Sequence, residues 1–316
     1  SMITQKLSGN PRAGGPPAFE LREDVEDDMG FARMPKPTPA DLFFDMEGDP
    51  LIEGGLEYLF GIYHEADGKG RFEAIWAHDH VAEREATLAV LTLFADHIAA
   101  HPGAFIYHYN HYEVTALKRL AMKHGVGEGV LDDLLRDRRF VDLYRVVQQG
   151  MFASESSYSL KDLEAFYAEK RTEDVTNAGD SIVVYEKWRE TQEQVLLDGI
   201  RAYNEFDCKS TKGLRDWLVR AVRPKDLPWA SRKRTTDERR ATDERVEAEE
   251  AQREATRKLL SGVAGPMQGA PAELLFELMS FHRREDKPQW WAPFDPAERD
   301  AAEPSPHSAP QAVPPP

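Results

Sequence analysis

Phe43-Phe44-Asp45-Met46-Glu47 is the stretch on which the fold reading turns. The apolar run over residues 42–46 ends in acids and passes into Gly48, Asp49 and Pro50, the pattern of a strand and its exit turn. On a strand, residues i and i+2 share a face, so Asp45 and Glu47 project together beside a buried layer. Like charges held in this way raise each other's pKa and require compensation, commonly by a cation. A strand-end pair that simply faces water is the plain alternative, and for two acids taken alone it is the commoner outcome.

Working outward, residues 57–64 and 71–78 are apolar and aromatic runs flanking the turn material of 65–70, a hairpin pattern that makes three antiparallel strands with the first. Residues 81–100 then carry Leu88, Leu91, Phe94, Ala95 and Ile98 at helical spacing, and 104–109 is again strand-like. Helical patterns follow at 113–124, 131–136, 159–170, 182–197 and 199–222. The order predicts an α/β fold, a mixed sheet flanked by helices, rather than a parallel doubly wound sheet.

The ends differ in texture. Residues 1–35, rich in Gly, Pro and acids, suit a flexible leader, and 36–225 read as the folded domain. Residues 226–262 read as a charged helical connector, since 231–260 hold nine Lys/Arg and eight Asp/Glu. Apolar and aromatic character returns over 263–300, and the Ala/Pro/Ser-rich 301–316 suits a disordered tail. Ser1 before Met2 reads as a scar of recombinant expression.

Across 316 residues, 40 Lys and Arg stand against 56 Asp and Glu, a formal charge of −16. That balance argues against a protein that coats duplex DNA or an anionic membrane through its own basic surface. No run of 18 apolar residues occurs, so no membrane partner is expected, and a soluble, cytoplasmic location is. The single cysteine, Cys208, excludes internal disulfides, a cysteine zinc site and a four-cysteine iron–sulfur cluster within this chain.

Two further pieces join the Asp45/Glu47 pair. Asn110-His111-Tyr112-Glu113 follows the strand at 104–109 and opens a helix, where an acid is favoured by the helix dipole. Tyr203 and Asp207 stand at i and i+4, one turn apart on one helix face. An ordinary helix-opening Glu and a solvent-facing Tyr/Asp pair are the plain alternatives.

Taken in order, Asp-x-Glu on a first strand, an acid after a later strand and Tyr-x-x-x-Asp on a late helix resemble the DEDD exonucleases of the ribonuclease H-like fold, in the subgroup with tyrosine in the last motif. The resemblance implies that Asp45, Glu47, Glu113 and Asp207 hold two Mg²⁺ or Mn²⁺ ions, with Asp45 bridging, and that Tyr203 orients the attacking water. Hard cations prefer carboxylate oxygens, and two of them activate water while neutralising the attacked phosphate. The second motif departs from the family, which has three residues between Asn and its acid where this chain has two between Asn110 and Glu113. Asp142, in Phe140-Val-Asp-Leu-Tyr144, resembles a supporting acid of such nucleases.

A closer resemblance covers residues 36–222 and the segment 281–291. Asp45-Met-Glu-Gly-Asp-Pro50, Tyr107-His-Tyr109, Tyr158-Ser-Leu-Lys161 and Tyr203-Asn-Glu-Phe-Asp-Cys208 are similar to the YprB-like ribonuclease H-like domain of bacterial RecB-family nucleases. In that family the domain precedes a helicase. No Gly-x-x-x-x-Gly-Lys-Ser/Thr loop occurs, so the helicase partner is expected outside this chain. The resemblance implies a 3′–5′ exonuclease acting in DNA repair or processing on single-stranded DNA, with RNA possible as substrate. Asn110, Tyr112, Asp142, Tyr158 and Lys161 are the substrate-side candidates, tyrosines for stacking on a base and Lys161 for a phosphate.

Two other functions compete. One is a nucleic-acid-binding scaffold of a helicase without catalysis, motivated by the short second motif. The other is a PD-(D/E)xK nuclease, for which Asp207-Cys-Lys209 and Glu285-Asp-Lys287 have the spacing but helical surroundings. His78/His80 and His108/His111 suggest zinc only weakly and read better as surface or strand histidines.

Overall fold

Leu42–Asp49 has no polar side before Asp45, the signature of a strand buried on both faces. In the computed structural model it is the centre of the sheet. The model describes residues 17–23, 25–26, 28–66, 68–168, 178–230, 251, 254–260 and 275. Contacts divide the chain into a unit of residues 1–134 and 138–232 and a second of 135–137 and 233–316. The fold below is that of the first; in the second, residues 254–260 are helical.

The strands are β1 (Phe19–Leu21), β2 (Leu42–Asp49), β3 (Leu56–Ala66), β4 (Lys69–Trp76), β5 (Ile106–His108), β6 (Phe140–Asp142) and β7 (Met151–Ala153). The helices are α1 (His80–Ala100), α2 (Tyr112–His124), α3 (Glu128–Arg136), α4 (Leu143–Gly150), α5 (Leu160–Leu163), α6 (Ala178–Thr191) and α7 (Gln194–Trp217), the last running into a π-turn at Leu218–Val222. The main sheet has the order β4-β3-β2-β5-β6: the first three strands are antiparallel, and β5 and β6 are added parallel to β2. The mixed α/β sheet flanked by helices is the fold expected from the sequence.

The parity of β2 sorts its neighbours. Phe44 packs edge-on against Phe94 of α1, ring centroids 5.1 Å apart. Phe43 turns to the opposite face, stacks on Tyr107 and meets Arg215 of α7. Asp45 and Glu47 share the parity of Phe43 and therefore face α7. A bulge between Glu47 and Gly48 ends the regular register there, a device that commonly re-aims side chains at strand ends.

A buried ion pair locks α7 to the entry of β2. The Arg215 guanidinium lies 2.5 Å from Asp41 Oδ2, with its carbon 4.9 Å from the Phe43 ring and 5.1 Å from that of Tyr107. Asp41 also accepts hydrogen bonds from the Thr38 and Phe105 amides and the Thr38 hydroxyl. Burial nonetheless pushes its pKa up against the pull of those donors and of Arg215.

The structure departs from the sequence expectations at several places. Of the expected leader, residues 19–21 form β1, which pairs antiparallel with β7, and Phe31 and Met34 are buried. Their apolar side chains are scattered among Gly, Pro and acids without a period, so no pattern announced them. The domain also continues past 225, since Trp229 lies under the Arg223 guanidinium and Ala230 N donates to Met34 O. The helix expected at 159–170 is the single turn α5 followed by a 3-10 turn at Glu164–Phe166. The break expected before Gly199 falls at Gln192, which takes a left-handed φ of 59°. The expected segment 301–316, all of 263–300 but residue 275, and most of 226–262 lie outside the described residues.

Gly199 thus sits inside α7, and a Cβ there would meet nothing within 4 Å. Gly199→Ala is expected to raise stability by about 0.4–1 kcal/mol through the lost freedom of the unfolded chain, measured by urea denaturation. Arg215→Ala leaves the Asp41 carboxylate buried and unpaired, and the same measurement is expected to show a loss of about 3–5 kcal/mol.

Candidate active site

Four elements converge at the exit of β2. Strand periodicity puts Asp45 and Glu47 on one face, and helical periodicity puts Tyr203, Asn204 and Asp207 on the surface of α7 opposite them. Glu113 enters from the first turn of α2 and is buried. The turn before α2 is made by Asn110, whose φ of 76° is left-handed, a conformation asparagine adopts more readily than most residues. Asp142 holds that turn: its Oδ1 accepts from Asn110 N and from Tyr144 N at the start of α4, both at 2.9 Å.

Hydrogen bonds fix the carboxylates. Asn204 Nδ2 donates to Asp45 Oδ2 at 2.7 Å and reaches Glu47 Oε1 at 3.4 Å. The Ser181 hydroxyl of α6 donates to Glu47 Oε2 at 2.7 Å and accepts from Tyr58 at 3.2 Å. His108 Nδ1 stands 3.4 Å from Glu113 Oε2 and 2.7 Å from the Asn110 carbonyl.

The electrostatics follow from burial and from charges of one sign. Desolvation, then the charges of Glu47, Asp207 and Glu113, push Asp45 well above the usual carboxylate range. Glu47 is pushed up to about 8 by burial, with Asp207 adding to it and the Ser181 and Asn204 donors resisting. Burial alone would lower His108, but the hydrogen bond to Glu113 and the nearby carboxylates raise it. Burial and Asp207, to which its hydroxyl is hydrogen-bonded, raise Tyr203 far beyond neutrality, so its phenol keeps its proton.

The RNase_H_2 family model, of the RNase_H superfamily, matches residues 42–219, more than half of the chain and the whole span from β2 to the end of α7. The chain belongs to the RNase H superfamily. No curated protein and no solved structure matches it. Superfamily membership brings with it nucleic acid as the partner and a divalent-metal nuclease as the general activity.

The donor set fits a hard divalent cation. Carboxylate oxygens are the donors hard divalent cations prefer, and burial with mutual repulsion raises Asp45 and Glu47, while His108 faces Glu113. Among the described residues no group of three or more His, Cys, Asp or Glu is arranged to hold a metal ion. At this site the Asn204 amide bridges Asp45 and Glu47.

The other candidates have these places. Tyr112 is exposed beside Glu113, with its hydroxyl on the Glu57 carboxylate, which also binds Arg119. Tyr158 is partly buried, donates to Met151 O and receives the Tyr109 hydroxyl at its own carbonyl. Lys161 is exposed on α5. Asp207-Cys208-Lys209 lies within α7, not on a strand, and Lys209 pairs with Glu205, so the PD-(D/E)xK arrangement is not formed there; residues 285–287 lie outside the described residues. Of the histidines, His108 is a buried strand residue against Glu113, and His78 meets Tyr185 and Trp188. Sequence reading gave no role to Asn204, Ser181 or Tyr58. Asn204 was visible inside the Tyr203–Asp207 motif and Tyr58 inside Gly55-Leu-Glu-Tyr58, a segment similar to the YprB-like domain, whereas Ser181 carries no local signal.

The raised acids fix a pH dependence. In the metal-free protein Glu47 keeps a proton from about pH 4.5 to about 8 that the unfolded chain has released. The native state then binds more protons than the unfolded one, so this contribution to stability is complete below pH 4.5 and is lost as pH rises toward 8. Urea titrations of metal-free protein between pH 5 and 8 are expected to show the decline, at most about 1.4 kcal/mol per pH unit for one proton, and Glu47→Gln is expected to flatten it.

Proposed function

We propose that this protein is a metal-dependent nuclease that hydrolyses phosphodiester bonds of DNA or RNA, working 3′ to 5′ from an end on single strands. The observation that carries this reading is the meeting of Asp45, Glu47 and Glu113 with an Asp207 whose neighbour on α7, Tyr203, is hydrogen-bonded to it. Asp45, Glu47, Glu113 and Asp207 would hold two Mg²⁺ or Mn²⁺ ions. Such ions, when bound, supply an activated water and neutralise charge on the attacked phosphate.

The chain's own residues supply placement. Tyr203 stays protonated, so its hydroxyl would orient water rather than act as nucleophile or base. His108, its Nδ1 between the Asn110 carbonyl and Glu113 Oε2, would hold that carboxylate in place. Tyr112, tethered through its hydroxyl, offers an exposed ring beside Glu113 on which a terminal base can stack. Lys161 and the Asn110 turn complete the substrate side. Preference for single strands, the 3′–5′ polarity, a role in DNA repair and a helicase partner rest on the resemblance to the YprB-like and DEDD nucleases. A cytoplasmic location goes with that role.

A second reading, a binding scaffold without catalysis, is favoured by the absence, among the described residues, of a group of three or more His, Cys, Asp or Glu arranged to hold a metal ion. End-labelled single-stranded DNA and RNA incubated with Mn²⁺ separate the two, since the scaffold binds without cutting and shows no Mn²⁺-dependent rise in Tm. For the nuclease, Asp45→Asn and Asp207→Asn are expected to abolish cleavage, and Tyr203→Phe to lower kcat by about 10²-fold with KM little changed. Asp45→Asn cutting at the wild-type rate would sink the assignment.

A further inference from the structure

The Asn204 amide is fully buried, and its two ends have unlike surroundings. Nδ2 reaches both Asp45 and Glu47, while Oδ1 makes no hydrogen bond. Buried polar atoms without partners are rare because each forfeits its hydration, so this one marks an arrangement kept for another reason. Oδ1 abuts Gly61, the residue directly opposite Asp45 on β3. A Cβ at Gly61 would overlap Oδ1, so only glycine there admits the amide. One turn further along α7, the Cys208 thiol sits 3.5 Å from the Gly61 carbonyl, keeping helix and strand at this close approach.

We propose that Asn204 is the positioning residue of the carboxylate site: its amide, admitted by Gly61, ties Asp45 to Glu47 and aims both at the position of a divalent ion. Resting on the nuclease reading, the inference adds a residue outside the acidic set. Asp45 Oδ2 is engaged by Nδ2, and the same carboxyl is hydrogen-bonded to Glu113. Glu47 is fixed at both oxygens, by Ser181 and by Asn204. Partners that orient metal ligands typically govern affinity by about 10–100-fold.

The test measures the Mn²⁺ dissociation constant by calorimetry at one pH, beside the metal-free Tm and the circular dichroism spectrum. Asn204→Ala is expected to weaken Mn²⁺ binding by about 10–100-fold with the spectrum retained. Gly61→Ala, which displaces the amide, is expected to act in the same direction, and the double variant to add nothing beyond Asn204→Ala. Asn204→Asp is expected to lower the metal-free Tm and to enlarge the rise in Tm on adding Mn²⁺, because it puts a fifth acid where the donor was. If Asn204→Ala does not fold, the other two variants carry the measurement. Unchanged or tighter Mn²⁺ binding in Asn204→Ala, including a lowered Tm alone, overturns the proposal and leaves the metal reading standing. Absence of Mn²⁺ binding in the wild type overturns both.

Discussion

Four carboxylates confined together are the constraint that the rest of the domain answers. Two unit charges about 4 Å apart repel by about 4 kcal/mol at the effective dielectric of ~20 that suits protein sites. Asp45 and Glu47 are raised by burial first and by their acidic neighbours second, so the bare pocket keeps protons at neutral pH rather than full charge. The scaffold buries Glu47 and Glu113 and leaves Asp45 and Asp207 half-buried. Strand β2, covered on both faces, supplies the floor, and the donors Asn204 and Ser181 supply what local compensation there is.

Holding α7 against β2 is the second half of that task. The Asp41–Arg215 pair lies four residues before Asp45 on one element and eight after Asp207 on the other, about 12 Å along the helix. A slide of α7 by one turn, about 5.4 Å, would part the guanidinium from Asp41 in a dry interior and leave that carboxylate buried without its counter-ion, while Arg215 keeps Asp216 beside it. Buried ion pairs add little net stability because both charges lose their water. Here the pair acts through registry: it makes wrong positions of α7 costly, and the positions of Tyr203, Asn204 and Asp207 follow.

How much was legible in the sequence depends on how local each signal was. Asp45 with Glu47 and Tyr203 with Asp207 were readable because strand and helix periods fix which side chains share a face, and a helix opening after a strand pointed to Glu113. The sheet was readable for the same reason, down to the hairpin of β3 and β4. Strands β1, β6 and β7, three residues each, are too short to show a period. Asn204 meets Asp45 across 159 residues and Ser181 meets Glu47 across 134, pairings that no pattern along the chain encodes. The structured part of the leader was hidden likewise, since Phe31 and Met34 become core only once α4 and the β7 strand lie beside them.

The surplus of acids, 56 against 40 bases, bears on substrate binding in a way the total conceals. Charges beyond a Debye length, about 8 Å at physiological ionic strength, are screened, so a phosphate near the site responds to the local set and not to the net −16. Bare and ionised, that set repels a polyanion, and two divalent cations would cancel its four negative charges. On the proposed reading, cation binding and substrate binding are therefore coupled: a metal-free pocket partly neutralised by protons offers a phosphate no positive partner, and with metal the same carboxylates become the place where a phosphate is tolerated. An acidic protein of this kind has no need of a basic surface to act on nucleic acid. It has need of carboxylates held so rigidly that metal ions, rather than protons, are their best partners at neutral pH.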